Sequence, residues 1–460
     1  MGGFFTGRTL ADVGRDLRSG DTSATELLAH AFASIDADET AGESAGENAG
    51  ENADENAKKL NAFVTLDREG AEAAAKQADK DLASGVDRGP LHGVPVAVKD
   101  IIDVAGLPTG MGSAHFTGHV AGTDAACVTM LRDAGAVIVG KTGTHEFAYG
   151  GSGDVSVNGP VRNPHDRERM SGGSSSGSAV AVAAGMVPLA LGTDTGGSVR
   201  IPASFCGIAG FKPPYGAIPT DGVFPLSPSL DHVGFLAGSA DDCRIAYHAL
   251  VGPAEAAPAE AASAGAATPP ADNTPRVAWI EPESADPDVV RAVRALFPNA
   301  PAEPLDLFEL RRIFRAIQDC EAYDIHADRV EAAPELYQPP TLERLEQAVR
   351  TPGWRYVRAF RERDEFARHV AGLLERYDLL ALPTMMMTAP KIGEVEGPFG
   401  RYAPALVALT CAWNVLGLPA LSVPAGTVRG LPVGAQLVTR RGAESLLFDM
   451  AARLPSPIPG

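Results

Sequence analysis

Serine and glycine gather at two places in this 460-residue chain. The first cluster is Gly172-Gly173-Ser174-Ser175-Ser176-Gly177; the second is Gly192-Thr193-Asp194-Thr195-Gly196-Gly197-Ser198. A serine hydroxyl becomes a nucleophile when a base lies within reach. Glycine lets main-chain amides approach a ligand closely. The two residue types together suit acyl transfer, in which a hydroxyl attacks a carbonyl and amide N–H groups receive the oxyanion. The same composition also describes a flexible loop, so the base decides. None of the ten histidines falls in an H-E-x-x-H or similar spacing, and most are expected at the surface or in polar cores. A lysine can serve instead if desolvation or neighbouring cations keep it neutral. Lys99 ends an apolar run (residues 91–98, LHGVPVAV), as a buried strand delivering a charge to a site would. A lone strand-end lysine is more commonly a surface residue.

Two formal motif matches are set aside. Gly173-Ser174-Ser175-Ser176-Gly177 satisfies G-x-S-x-G with Ser175 at its centre, a pattern that needs a strand before it. The preceding residues 165–170, HDRERM, are charged and not strand-like. Residues 135–142, GAVIVGKT, satisfy G-x-x-x-x-G-K-[ST]. Their β-branched middle reads as a buried strand and not as a loop curving around phosphate.

The elements that must position these residues alternate between helix and apolar strand, which points to an α/β fold. Residues 8–37 read as helical, with a capping box from Ser23 to Glu26. Strands are expected at 61–66, 135–140, 186–192, 276–280, 377–383 and 434–438, besides the run ending at Lys99. Helices are expected at 69–83, 124–134, from Ser178 onward, 240–251, through much of 286–376, and at 443–454. Two stretches break the pattern. Residues 41–59 are an acidic Ala-Gly-Glu-Asn repeat, and residues 252–273 are Ala/Pro-rich. Neither can bury apolar surface, so both are expected as flexible insertions in one domain spanning 1–460.

Composition narrows the function further. With 39 basic and 58 acidic residues the net charge is −19, which argues against nucleic acid or an anionic membrane as partner. No run approaches 18 apolar residues, and no basic-then-apolar leader opens the chain. The five cysteines are scattered, without a C-x-x-C pair, so reduced thiols in the cytoplasm are expected.

With these residues assembled, the chain resembles the amidase signature family. The resemblance is carried by Gly93-Val94-Pro95-Val96-Ala97-Val98-Lys99-Asp100, by the cluster 172–178, and by residues 192–202, GTDTGGSVRIP. Residues 206–213, CGIAGFKP, also fit, as do 414–424, NVLGLPALSVP, and 430–437, GLPVGAQL. The motifs keep their order from about residue 8 to 454. The resemblance implies a central mixed β-sheet covered on both faces by helices. It implies a Ser–cisSer–Lys triad with Ser198 as nucleophile, Ser174 as bridging serine on a cis peptide bond and Lys99 as base. It places the oxyanion at the main-chain amides of Thr195, Gly196 and Gly197, with that of Ser198. Asp194 and Arg200 are expected to pair in the core, and Ser175 to hydrogen-bond near Lys99. Ser176 stands where many relatives carry glycine, a change expected to be tolerated. The variable region 300–390 would shape the acyl pocket, with Tyr149–Ser152 and Met385–Met387 as candidate edges or core. The implied reaction is hydrolysis of a small-molecule carboxylic amide or urea-like C–N bond without metal or cofactor. Two alternatives share the fold: a glutamine-hydrolysing amidotransferase subunit, and a carboxybiuret- or allophanate-type hydrolase. A non-catalytic amidase-like subunit is disfavoured because all three triad residues are present. Oligomeric state is left open, a homodimer among the options.

Overall fold

The computed structural model describes residues 2–40, 59–252 and 275–455. The expected insertions at 41–59 and 252–273 therefore lie outside the described residues, except at Lys59 and Gly252. The strands, in chain order, are β1 (Phe63–Leu66), β2 (Pro95–Lys99), β3 (Val137–Thr142), β4 (Arg162–Asn163), β5 (Asp166–Met170), β6 (Leu189–Thr193), β7 (Ala209–Lys212) and β8 (Val233–Ala237). They continue with β9 (Val277–Ile280), β10 (Ala302–Glu303), β11 (Leu379–Pro383), β12 (Glu396–Gly397), β13 (Gly400–Arg401), β14 (Ala420–Val428) and β15 (Leu431–Val438).

Eleven of these strands form one sheet in the order β1-β3-β2-β6-β8-β7-β14-β15-β11-β9-β10. The sheet is mixed. β3, β2 and β6 run parallel, as do β11, β9 and β10, and the strands between are antiparallel. β2, β3, β6, β7, β8, β11 and β15 are buried along their whole length, which is why they read as near-continuous apolar runs and not as alternating ones. Alternate side chains of β11 serve opposite faces. Leu379 and Ala381 join a core with Val289 and Val293, whereas Leu380 and Leu382 join a second core with Ile313, Phe314 and Ile317. Helices thus cover both faces, as the resemblance implied. Among the described residues no helix is long and apolar enough to cross a membrane.

Three expectations are corrected. The helix read over 8–37 is two helices, Leu10–Ser19 and Ala24–Thr40. Gly20 ends the first in a left-handed conformation (φ 78°), where glycine has no Cβ to clash. The Ser23–Glu26 capping box then opens the second, with Glu26 N–H donating to Ser23 Oγ at 3.1 Å and Ser23 N–H to Glu26 Oε2 at 2.9 Å. The charged residues 166–170, read as not strand-like, form β5, which pairs with β4 in a small ribbon apart from the main sheet. Only Met170 at its end is buried, so its charged side chains stay accessible to water. The helix after the first serine cluster begins at Ser176 and not at Ser178 (Ser176–Ala183).

The sheet brings the chemistry together at one edge of its parallel part. Lys99 is the last residue of β2 and Thr193 the last of its parallel neighbour β6. The first serine cluster leads into the helix Ser176–Ala183, and the second leaves β6 and leads into the helix Arg200–Cys206. Crevices at the carboxyl ends of parallel strands are where open α/β sheets bind ligands.

Gly177 is a tight main-chain joint in this arrangement. Its N–H donates to Gly143 O at 2.9 Å, and a Cβ there would run into the Ala62 carbonyl and the Gly143 amide. Gly177→Ala is expected to lose about 1–3 kcal/mol of stability by overpacking. Urea unfolding would show it as a lower midpoint at unchanged slope; an unmoved midpoint would contradict this packing.

Candidate active site

Lys99 and Ser174 are completely buried, and Ser198 retains 7% exposure, so of the three only Ser198 is open to a substrate. Lys99 Nζ donates to Ser174 Oγ and to Thr193 Oγ1, each at 2.7 Å. Among the described residues no carboxylate bonds the amine. Burial pushes the lysine down to about 7, against the opposing pull of Asp194 and Asp231. A lysine in such surroundings exchanges a proton near neutral pH.

The two serine clusters are tied to each other by the main chain. The Gly173–Ser174 peptide is cis. Ser174 O accepts from His145 N–H at 3.2 Å, and Gly173 N–H donates to Gly151 O at 2.7 Å. Ser175 N–H donates to Ser198 O at 3.1 Å, which sets the second cluster against the first. The Ser175 hydroxyl bonds next to Lys99, donating to Thr193 O at 3.0 Å and accepting from Thr193 N–H at 3.1 Å. It thereby fixes the threonine whose own hydroxyl accepts from the lysine. Ser176 is accommodated, with its hydroxyl donating to Gly143 O at 3.2 Å.

The turn 194–198 is organised by Asp194 and Arg200, which pair as expected and are both wholly buried. Arg200 Nε donates to Asp194 Oδ2 at 2.9 Å, and its terminal nitrogen to Oδ1 at 2.8 Å. The guanidinium also reaches Thr410 O, Gln436 Oε1 and Asn414 Oδ1. Burial alone would raise the Asp194 carboxyl; Arg200, with Lys212 and Asn414, holds it below the usual carboxylate range. The same carboxylate accepts from Gly197 N–H at 2.8 Å and Val199 N–H at 3.1 Å. This corrects one expectation. The Gly197 amide is committed to Asp194 and is not free for an oxyanion. Among the described residues the Thr195, Gly196 and Ser198 amides have no protein partner. Thr410 Oγ1 donates to Gly196 O at 2.5 Å, and the Phe314 ring lies against Gly196, where a Cβ would clash with it.

Of the candidate pocket edges, Met385, Met386 and Met387 are buried in the second core. Tyr149 is buried as well, with the Arg344 guanidinium 4.0 Å over its ring. Arg344 also donates to Tyr149 O and Gln318 Oε1, each at 3.0 Å. The rejected phosphate-loop match is β3, and its Lys141 pairs with Asp100 at 3.1 Å. Sequence reasoning missed Thr193, Thr410, Gln436 and Asn414 as supports. Thr193, Asn414 and Gln436 stand inside quoted motifs, so a request for a partner to every buried polar group could have found them.

Known proteins resemble this chain in sequence and fold. A family model described as Amidase matches residues 47–305 and 332–448. The AtzE subunit of 1-carboxybiuret hydrolase from Pseudomonas sp. (strain ADP) is 34% identical over 449 residues, 94% of either chain. A glutamyl-tRNA(Gln) amidotransferase subunit of Symbiobacterium thermophilum is 35% identical over 443 residues, 85% of this chain and 88% of its own. A solved chain from a vestigial protein complex, bearing on the origins of an s-triazine catabolic enzyme, superposes with a TM-score of 0.85 at 30% identity, covering 98% of this chain and 100% of that one. With its motifs, sheet and buried Lys–Ser contact in one arrangement, the chain belongs to the amidase signature family of hydrolases acting on C–N bonds.

Proposed function

We propose that this protein hydrolyses a small-molecule carboxylic amide or urea-like C–N bond through an acyl-enzyme on Ser198. The observation that carries the reading is the 2.7 Å contact between buried Lys99 and Ser174. Neutral Lys99 takes a proton from Ser174, which takes one from Ser198. Ser198 Oγ bonds to the substrate carbonyl carbon, whose oxygen becomes an anion held by the Thr195, Gly196 and Ser198 amides. Preorganised donors of this kind usually contribute most of the rate enhancement in acyl transfer. As the C–N bond breaks, the proton returns through Ser174 to the leaving nitrogen. Water then attacks the ester by the same relay in reverse, releasing the acid and restoring Ser198. Gly197 acts indirectly, its amide holding the turn to Asp194.

A second reading within the family is one chain of a larger hydrolase or amidotransferase. It is favoured by the two relatives, both of which are named as subunits. The five cysteines are free, four of them buried, which supports the cytoplasmic reading. Coupling of ammonia release to an added partner chain would select the second reading, and stand-alone turnover over a panel of aliphatic, aromatic, amino-acid and urea-derived amides would select the first.

A fluorophosphonate probe followed by peptide mapping is expected to label Ser198, and Ser198→Ala to abolish both labelling and turnover; full activity in that variant would remove the nucleophile assignment. Lys99→Ala is expected to lose activity while remaining folded, because it removes a buried amine whose bonds are to two hydroxyls. A variant that merely unfolds would mark the lysine as structural. Because Lys99 must be neutral to act, kcat/KM is expected to rise with pH through about 7 and then level. A profile flat from pH 5 to 9, roughly the range in which side-chain bases titrate, would contradict it.

A further inference from the structure

Asp231 sits just before β8, on a segment that supplies none of the triad. Both of its carboxylate oxygens are committed. Oδ1 accepts from Thr195 Oγ1 at 2.6 Å, and Oδ2 accepts from the Leu226 and Ser227 amides at 2.9 and 3.0 Å. The adjacent residue ties the same segment to the catalytic turn, with Asp194 N–H donating to His232 O at 2.8 Å. A small cavity of about 10 Å³ lies among Thr193, Thr195, Asp231 and His232. Thr193 is the residue whose hydroxyl accepts from Lys99. The carboxylate therefore bonds the threonine whose amide is an oxyanion donor and shares a cavity with the threonine that bonds the base.

The segment is anchored from the far side too. Glu321, on the helix Leu307–Ala332, accepts from the Ser227 and Ser229 hydroxyls at 2.5 and 2.6 Å and from Tyr356 OH at 2.9 Å. The charges around the pair are few. Asp194, Asp231 and His145 act on or respond to Lys99; Glu321 and Tyr215 interact with Asp231. Asp194 is neutralised by a two-pronged bond to Arg200. Asp231 is bonded only by a hydroxyl and two amides, so its charge is the uncompensated one facing Lys99.

We propose that Asp231 is a positioning residue for this reaction: through the Thr195 hydroxyl it aims the oxyanion amides, and across Thr193 it serves as counter-charge to the ammonium that forms when Lys99 takes its proton. The proposal rests on the Ser198–Ser174–Lys99 reading. Burial lifts the Asp231 carboxyl to about 6, so above that pH it is ionised while Lys99 titrates. Its negative charge favours protonated Lys99, and removing that charge makes the lysine easier to deprotonate.

The test is the kcat/KM pH profile of Asp231→Asn against wild type, using whichever amide of the panel is turned over. The acid limb is expected to move toward lower pH by on the order of half a unit or more, with kcat down about tenfold at the plateau, less than the loss of a whole oxyanion donor. An unmoved limb with kcat within about twofold of wild type would overturn the proposal. Thr195→Val and Thr195→Ser test the hydroxyl bond directly, and also serve if Asp231→Asn fails to fold. Thr195→Val removes the bond that holds the Asp231 carboxyl down, so it is expected to lower kcat and to move the limb in the same direction as Asp231→Asn, and Thr195→Ser to restore both; wild-type kcat in Thr195→Val would overturn the positioning role. Failure of the triad reading is distinct: it appears as full activity in Ser198→Ala, whatever the Asp231 variants do.

Discussion

The buried pair of Asp194 and Arg200 is the constraint on which the rest of the site depends. Taking two charges out of water is costly, and breaking such a pair by removing one partner typically costs about 3–5 kcal/mol. The cost is offset here because hydrogen bonds spread over both partners. Asp194 also binds the Gly197 and Val199 amides and Asn414, while Arg200 also binds Thr410 O, Gln436 and Asn414. These contacts reach three separate parts of the chain: the turn after β6, the segment 410–414 and β15. The turn carrying Ser198 is thereby held from the C-terminal third of the molecule, although every residue in it is local in sequence.

Three buried lysines show how surroundings separate chemistry from structure. Lys141, on β3, pairs with Asp100 and donates to Pro108 O and Thr109 Oγ1. Lys212, at the end of β7, donates to the Leu418 and Pro213 carbonyls. Lys99 donates to two hydroxyls. Burial pushes all three down from the ordinary lysine value. A carboxylate or carbonyl can only accept, whereas a hydroxyl can also give up its proton. Lys99 alone is bonded by hydroxyls with no carboxylate or carbonyl among its partners, and one of those hydroxyls is that of Ser174.

Much of this was legible in the residues. Lys99 could be singled out because an apolar run ends in it, and the family resemblance carried by the glycine-rich motifs pointed to Ser174 and Ser198. Strands buried on both faces, such as β2, β6 and β8, announce themselves as apolar runs. The misreadings share a cause: they depend on where one group meets another across the fold. Gly197 looks like an oxyanion donor until the Asp194 carboxylate is seen to occupy its amide. β5 carries no apolar pattern because its ribbon lies off the sheet, so periodicity could not report it. Asp231 has no motif around it that speaks of a base; only the approach of β8 to the turn gives it one.

The pairing of β2 with β6 carries a consequence for how errors in folding would be felt. Val96, Ala97 and Val98 stand opposite Leu189, Ala190 and Leu191, and the two strands end one or two residues later in Lys99 and Thr193. Side chains alternate along a strand, so slippage by one position would turn every one of them to the other side. Lys99 would then point away from Ser174 and leave an unsatisfied ammonium in the opposite core, while Val98 would face the serine. Such a slipped chain would be both inactive and destabilised by the same residue. Lys99 would in this way penalise a slipped register.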